Sequence, residues 1–133
     1  MMNRVEKLSL LSEMIAFARV DNSLKEIEYN FLLGVAKQLH ITQEDFDYLL
    51  DNPISHVKLK SYSERIVQFH RLVLLMIIDD EITSKEMYKL HNFGLKMGLN
   101  YDAINRVLEL MESFPNKVIP PDFLIDIFKV QYN

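Results

Sequence analysis

The sequence predicts an all-α fold: a single-domain bundle of about seven helices, built from two three-helix repeats plus a C-terminal helix. Three observations carry this. Apolar residues recur at helical spacing through nearly the whole chain. The 4 prolines among 133 residues stand at the ends of those periodic stretches. The chain also aligns on itself without a gap when shifted by 58 residues, the separation of Asp21 from Asp79.

Asn3 to Val20 reads as the first helix, with Val5, Leu8, Leu11, Ile15 and Ala18 at roughly 3.6-residue spacing. Ile27, Phe31, Val35 and Leu39, each four residues on, mark the second. Phe46, Leu49 and Leu50 mark a short third, started by Thr42 as N-cap. Asn52-Pro53 closes this first unit, about residues 3–51, and residues 51–61 lead into the second. The second unit, about 62–113, runs Tyr62 to Ile78, Ser84 to Met97, and Tyr101 to Ser113 behind Asn100. Between the units Glu28 aligns with Glu86, Leu32 with Leu90 and Leu50 with Leu108. Apolar character persists at Leu24/Ile82, Val35/Phe93, Leu39/Met97, Ile41/Leu99 and Phe46/Ile104. Pro115 to Pro120 bound a loop, Pro121 suits a first helical turn, and a C-terminal helix follows over about 121–132.

Met14 to Ala18 and Leu72 to Ile78 are apolar on nearly all sides, which predicts helices one and four as the buried central pair. Ala36 and Gly94 align and are small enough for close helix approach. Met76, Met87, Met97 and Met111 are assigned to the core, together with Tyr29, Tyr48, Tyr88 and Phe93.

Composition removes several classes of function. The net charge is −4, and the one short basic stretch is His56-Val57-Lys58-Leu59-Lys60, so no nucleic-acid partner is expected. No cysteine occurs, which excludes disulfides, thiolate metal sites and a cysteine nucleophile. Three glycines cannot build a phosphate-cradling loop. The longest apolar run, residues 72–78, is far short of the roughly 20 residues of a membrane span. Glu6, Ser12 and Glu13 interrupt the apolar N-terminus, and no small-residue cleavage site follows. A soluble, cytoplasmic protein is expected.

Each predicted central helix runs into an acidic turn, VDNSLKEIE in the first unit and IDDEITSKE in the second. Carboxylates here oppose the dipole of the helix they follow and favour that of the helix they precede, by roughly 0.3–1 kcal/mol each. The turns admit two readings. In the first they are turn chemistry: Asx turns at Asp21 and Asp79, and a capping box from Thr83 to Glu86. Ser23 to Glu26 could act likewise in the first unit, leaving Glu28 without a capping role. In the second reading the two turns meet at one pole of the bundle. Asp21, Glu28, Asp79, Asp80 and Glu86 then supply oxygen ligands for a hard divalent cation, Ca²⁺, Mn²⁺ or Mg²⁺, or face a basic partner. An EF-hand is excluded, because the sixth and twelfth positions counted from Asp21 hold Glu26 and Leu32, and from Asp79 they hold Ser84 and Leu90.

The paired turns Asp21-Asn22-Ser23-Leu24…Glu28 and Asp79-Asp80-Glu81-Ile82…Glu86 resemble the TerB-like tellurite-resistance family, as does the order of seven helices. Family members usually carry Asp-Gly at this turn, where this chain has Asn22 and Asp80. The resemblance implies an all-helical fold and an acidic surface suspected of binding metal. It further implies a place in stress-response or peripheral membrane-associated complexes, with no established catalysis.

No two of the four histidines, His40, His56, His70 and His91, have the i, i+4 spacing that serves zinc on a helix. His40 sits at a helix end as a cap, and His70 could pair with Glu13. Two function classes remain: a non-catalytic interaction module that uses the acidic turns to hold a cation or a basic protein partner, and a metal-dependent hydrolase using paired carboxylates to activate water. The hydrolase also needs a cationic group near the acids. Arg19 is the nearest arginine, and its counterpart Ile77 is apolar.

Overall fold

The computed structural model describes residues 2–20, 23–78 and 82–132, with side chains as far as Lys129. Seven helices form: α1 (Arg4–Ala18), α2 (Glu26–Gln38), α3 (Gln43–Asp51), α4 (Tyr62–Ile77), α5 (Ser84–Lys96), α6 (Tyr101–Leu110) and α7 (Pro121–Tyr132). Two 3-10 turns, Met111–Ser113 and Pro115–Lys117, carry the chain from α6 to α7. No strand occurs among the described residues.

Local chemistry sets where each helix begins. Asn3, Thr42, Ser61, Thr83 and Asn100 each accept an N–H of the first helical turn through a side-chain oxygen, at 2.8–3.3 Å. Lys25, the sixth N-cap, has no acceptor to offer. The six caps fall in pairs, Asn3/Ser61, Lys25/Thr83 and Thr42/Asn100, each at the separation of Asp21 from Asp79. Two helix ends match in the same way. Past α2 the chain turns at His40 (φ 61°), and Ile41 N–H reaches Ala36 O at 2.9 Å. Past α5 it turns at Gly98 (φ 79°), and Leu99 N–H reaches Gly94 O at 3.0 Å. Both are Schellman endings. His40 holds a left-handed conformation that costs an L residue roughly 1–2 kcal/mol, where Gly98 holds it without a Cβ penalty.

The predicted central pair is observed. Helix α1 packs on α2, α3, α4 and α5, and α4 packs on α1, α5 and α7. Leu11, Met14, Phe17, Phe69, Leu72, Leu75 and Met76 are fully buried, each contributing about 1.5–3 kcal/mol by leaving water. A Cβ on Gly94 would stand 2.6 Å from Ile104 Cδ1 and 3.2 Å from Phe69 Cε1, so the small residue is what lets α5 sit so close to α4 and α6. Phe128 closes the bundle from α7, edge-on to Phe69 at 5.7 Å.

Two expectations about the core fail. Tyr48 and Tyr88 are 66% and 68% exposed. Tyr48 lies two residues from buried Phe46 and Tyr88 two from buried Leu90, which on a helix is the opposite face. The apolar run of α4 is also not wholly interior, since Leu74, Ile77 and Ile78 are half-buried. No helix among the described residues is long and apolar enough to cross a membrane.

Candidate functional site

Glu28 and Glu86 are both buried at the third position of their helices. Glu86 Oε1 accepts the Thr83 N–H at 3.0 Å and Thr83 Oγ1 accepts the Glu86 N–H at 3.1 Å, a complete capping box. The sequence leaves Glu28 without a capping role. The structure gives it one, because Glu28 Oε1 accepts the Lys25 N–H at 3.0 Å. The cap is therefore Lys25 with Glu28, not the Ser23–Glu26 box, and it lacks the returning bond because an ammonium cannot accept. Asp21, Asp79 and Asp80 lie outside the described residues. Among the described residues no three His, Asp or Glu side chains are grouped to hold a metal ion. Arg19, the arginine nearest the first turn in sequence, donates to Leu50 O at 2.6 Å.

A second polar cluster joins residues far apart in the chain. After α3, residues 53–60 run without helical structure across α1 as a strap. Val57 N–H donates to Ser9 Oγ at 2.7 Å and Ile54 N–H to Ser12 Oγ at 3.2 Å. One turn further along α1, Glu13 Oε2 lies 3.1 Å from His56 Nδ1, with the carboxylate almost wholly enclosed. Burial pushes the Glu13 carboxyl up from its ordinary 4.5, against the Gln68 hydrogen bond and the charges of His56 and Lys96. So Glu13 pairs with His56 rather than with the expected His70. The strap leaves a small hollow of about 190 Å³ between α1 and α5, where Phe17 and Phe93 meet at 5.9 Å.

A larger groove opens between α2 and α4. A cavity of about 560 Å³ lies between Asn30, Phe31, Gly34, Val35 and Gln38 of α2 and Val67, His70, Arg71 and Leu74 of α4, with Pro121 at one side. It continues past Phe31 and Leu74 into a second cavity of about 360 Å³, walled by Ile77, Ile78, Ile82 and residues 116–118. A Cβ on Gly34 would touch nothing within 4 Å, so this wall is open. The imidazole of His70 bonds to the Ile119 backbone, and its Nε2 is buried with no hydrogen-bond partner. Burial moves the His70 pKa below its ordinary 6.5, and the charge of Arg71 adds to that. Arg71 is itself largely desolvated, with its charged form favoured by Glu64.

The two grooves correspond position by position. Ser9, Ser12, Glu13 and Ala16 of the strapped groove stand against Val67, His70, Arg71 and Leu74 of the open one, and Phe93 and Lys96 stand against Val35 and Gln38. Every pair has the 58-residue separation of the helix caps. Their floors also touch through Gln68, whose Nε2 donates to Glu13 Oε1 at 3.2 Å and to Leu10 O at 3.3 Å. Its Oε1 accepts from Arg71 Nη1 at 3.4 Å.

Neither groove is legible in the sequence, since each needs two helices that are not neighbours along the chain to be placed side by side. The half-buried α4 residues leave a trace there, as an apolar run too wide for one core face. No known protein family, curated protein or solved structure matches the chain.

Proposed function

We propose that the chain is a non-catalytic interaction module that docks a partner protein in the groove between α2 and α4. The observation that carries this reading is the pairing of the grooves: one is crossed by the chain's own strap, while its counterpart stands open and is lined by Phe31, Leu74, Ile77 and Ile78. Apolar side chains left half-exposed along one continuous furrow are what a docking surface requires. The TerB-like resemblance of the acidic turns supports the same class, since it implies complexes and no catalysis. On this reading Glu28 and Glu86 hold the first turns of α2 and α5 in place. A cation held at these turns would then rest chiefly on Asp21, Asp79 and Asp80.

The test is a photo-crosslinking amino acid placed at Gly34, in cells that naturally make the protein. The reading expects a discrete crosslinked species that disappears when Leu74→Glu is added, and none from the same probe at exposed Tyr88. Crosslinks that ignore Leu74→Glu, or that form only at Tyr88, would discard it.

A further inference from the structure

We propose that the occupant of the α2/α4 groove is an extended peptide segment of the partner, bearing an acidic side chain that lies against Arg71. This rests on the docking reading and adds the chemistry of what docks.

The strapped groove supplies the template. Its occupant is non-helical chain, held by backbone N–H groups on Ser9 and Ser12 and by one imidazole on Glu13. At the corresponding positions the open groove offers Val67, His70 and Arg71. The charge at the third position is reversed, from carboxylate to guanidinium. An occupant of matching shape therefore carries a carboxylate where the strap carries His56. The planar fork of Arg71 takes a carboxylate in bidentate fashion; Gln68 engages Nη1, and the charge of Glu64, which is not part of the groove lining, acts on it as well. Among the described residues that line the two cavities, His70 and Lys117 are the other ionisable groups, and none is Asp or Glu.

The first position sharpens the match. Val67 replaces Ser9, so the open groove cannot hold a backbone N–H there, and the α4 floor beyond it is apolar at Leu74 and Ile77. The occupant's apolar residues then lie toward the Ile77 end and its acid toward the Arg71 end.

The probe is the acetylated, amidated heptapeptide NPISEVK, which is strap residues 52–58 with glutamate in the place of His56. It is titrated into the ¹⁵N-labelled full chain by NMR, alongside a version with lysine at that place. The expected result is saturable shifts along residues 30–38 and 67–78. Affinity should fall about tenfold for Arg71→Glu, the order of one charge-assisted hydrogen bond, and be regained with the lysine peptide. Arg71→Gln should lose a similar factor, and serves if the reversed charge disturbs folding. The inference is overturned by no shifts at millimolar peptide, by shifts confined to α1 and α5, or by equal affinity for both peptides. Groove signals that move on dilution without peptide would overturn it too, assigning the groove to a second copy of the chain. A crosslink at Gly34 in cells combined with a silent titration would sink the acidic peptide and leave the docking reading intact.

Discussion

Ser9, Ser12 and Glu13 on α1 face a chain that crosses them, whereas Val67, His70 and Arg71 hold the corresponding places on α4 along the wall of the open groove, with His70 bonded to the Ile119 backbone. The helix caps recur at one separation in both units, and the side chains decide the difference. A non-helical segment laid on a helix brings N–H groups that must find acceptors once water is excluded. Two serine hydroxyls provide them on α1, and the Glu13 carboxylate takes the strap's imidazole. Valine provides none, and an arginine has no acceptor to offer in place of the carboxylate that meets His56. One bundle therefore offers the same kind of furrow twice, closed by its own chain in one case and left available in the other.

The largest expected effects come from removing what stands behind the floors. Phe128 is fully buried against Phe69 of α4, and Phe46 is fully buried in α3, which packs on α1. Either residue changed to alanine should cost about 3–5 kcal/mol, read by urea unfolding. Truncation before Pro120 should destabilise more than Phe128→Ala. A truncated chain that melts like the full one would mean that α7 does not support α4.

The strap itself comes next. Ser9→Ala leaves the Val57 N–H without its acceptor and should cost about 1–3 kcal/mol. The mirror substitution, Val67→Ser, removes a partly exposed methyl pair and should stay within about 0.5 kcal/mol. If the two changes cost the same, the hydroxyl bonds are not what separates the grooves.

These contrasts show why some of the structure can be read from sequence. Helix starts are local events: a hydroxyl or amide three residues before a free N–H is visible in the sequence, and Thr42, Thr83 and Asn100 appear as caps where expected. Lys25 escapes such a reading because residue type argues against it, and the bond runs from its backbone to Glu28. Glu13 and His56 meet across 43 residues through a strap whose path no periodicity encodes. The open groove depends on how far α2 stands from α4, which side-chain volumes set collectively.

Acidity should separate the two floors by direction. Glu13 has its folded pKa raised, so its contribution is complete below the unfolded value of about 4.5 and is lost as pH rises through the folded pKa. His70 has its folded pKa lowered, so its contribution is complete above about 6.5 and is lost as pH falls through the folded pKa. Melting temperatures between pH 4 and 8 should then shift in favour of Glu13→Gln as pH rises, and in favour of His70→Gln as it falls. Parallel profiles would remove the electrostatic contrast.

Smaller losses than those in the core belong to the two caps. Glu28→Ala and Glu86→Ala each delete one bond to an N-cap N–H and should cost about 0.5–2 kcal/mol. Glu28→Gln keeps an amide oxygen for Lys25 and should cost less. That difference bears on the acidic turns. A divalent ion bound there raises the melting temperature by mass action. Because Glu28 already commits an oxygen to the Lys25 N–H, Asp79→Asn should diminish the rise from Ca²⁺, Mn²⁺ or Mg²⁺ more than Glu28→Gln does. An equal loss from both would make Glu28 a ligand as well as a cap. A flat response to all three ions would leave Glu28 and Glu86 as helix caps alone, their oxygens serving the Lys25 and Thr83 N–H groups rather than an ion.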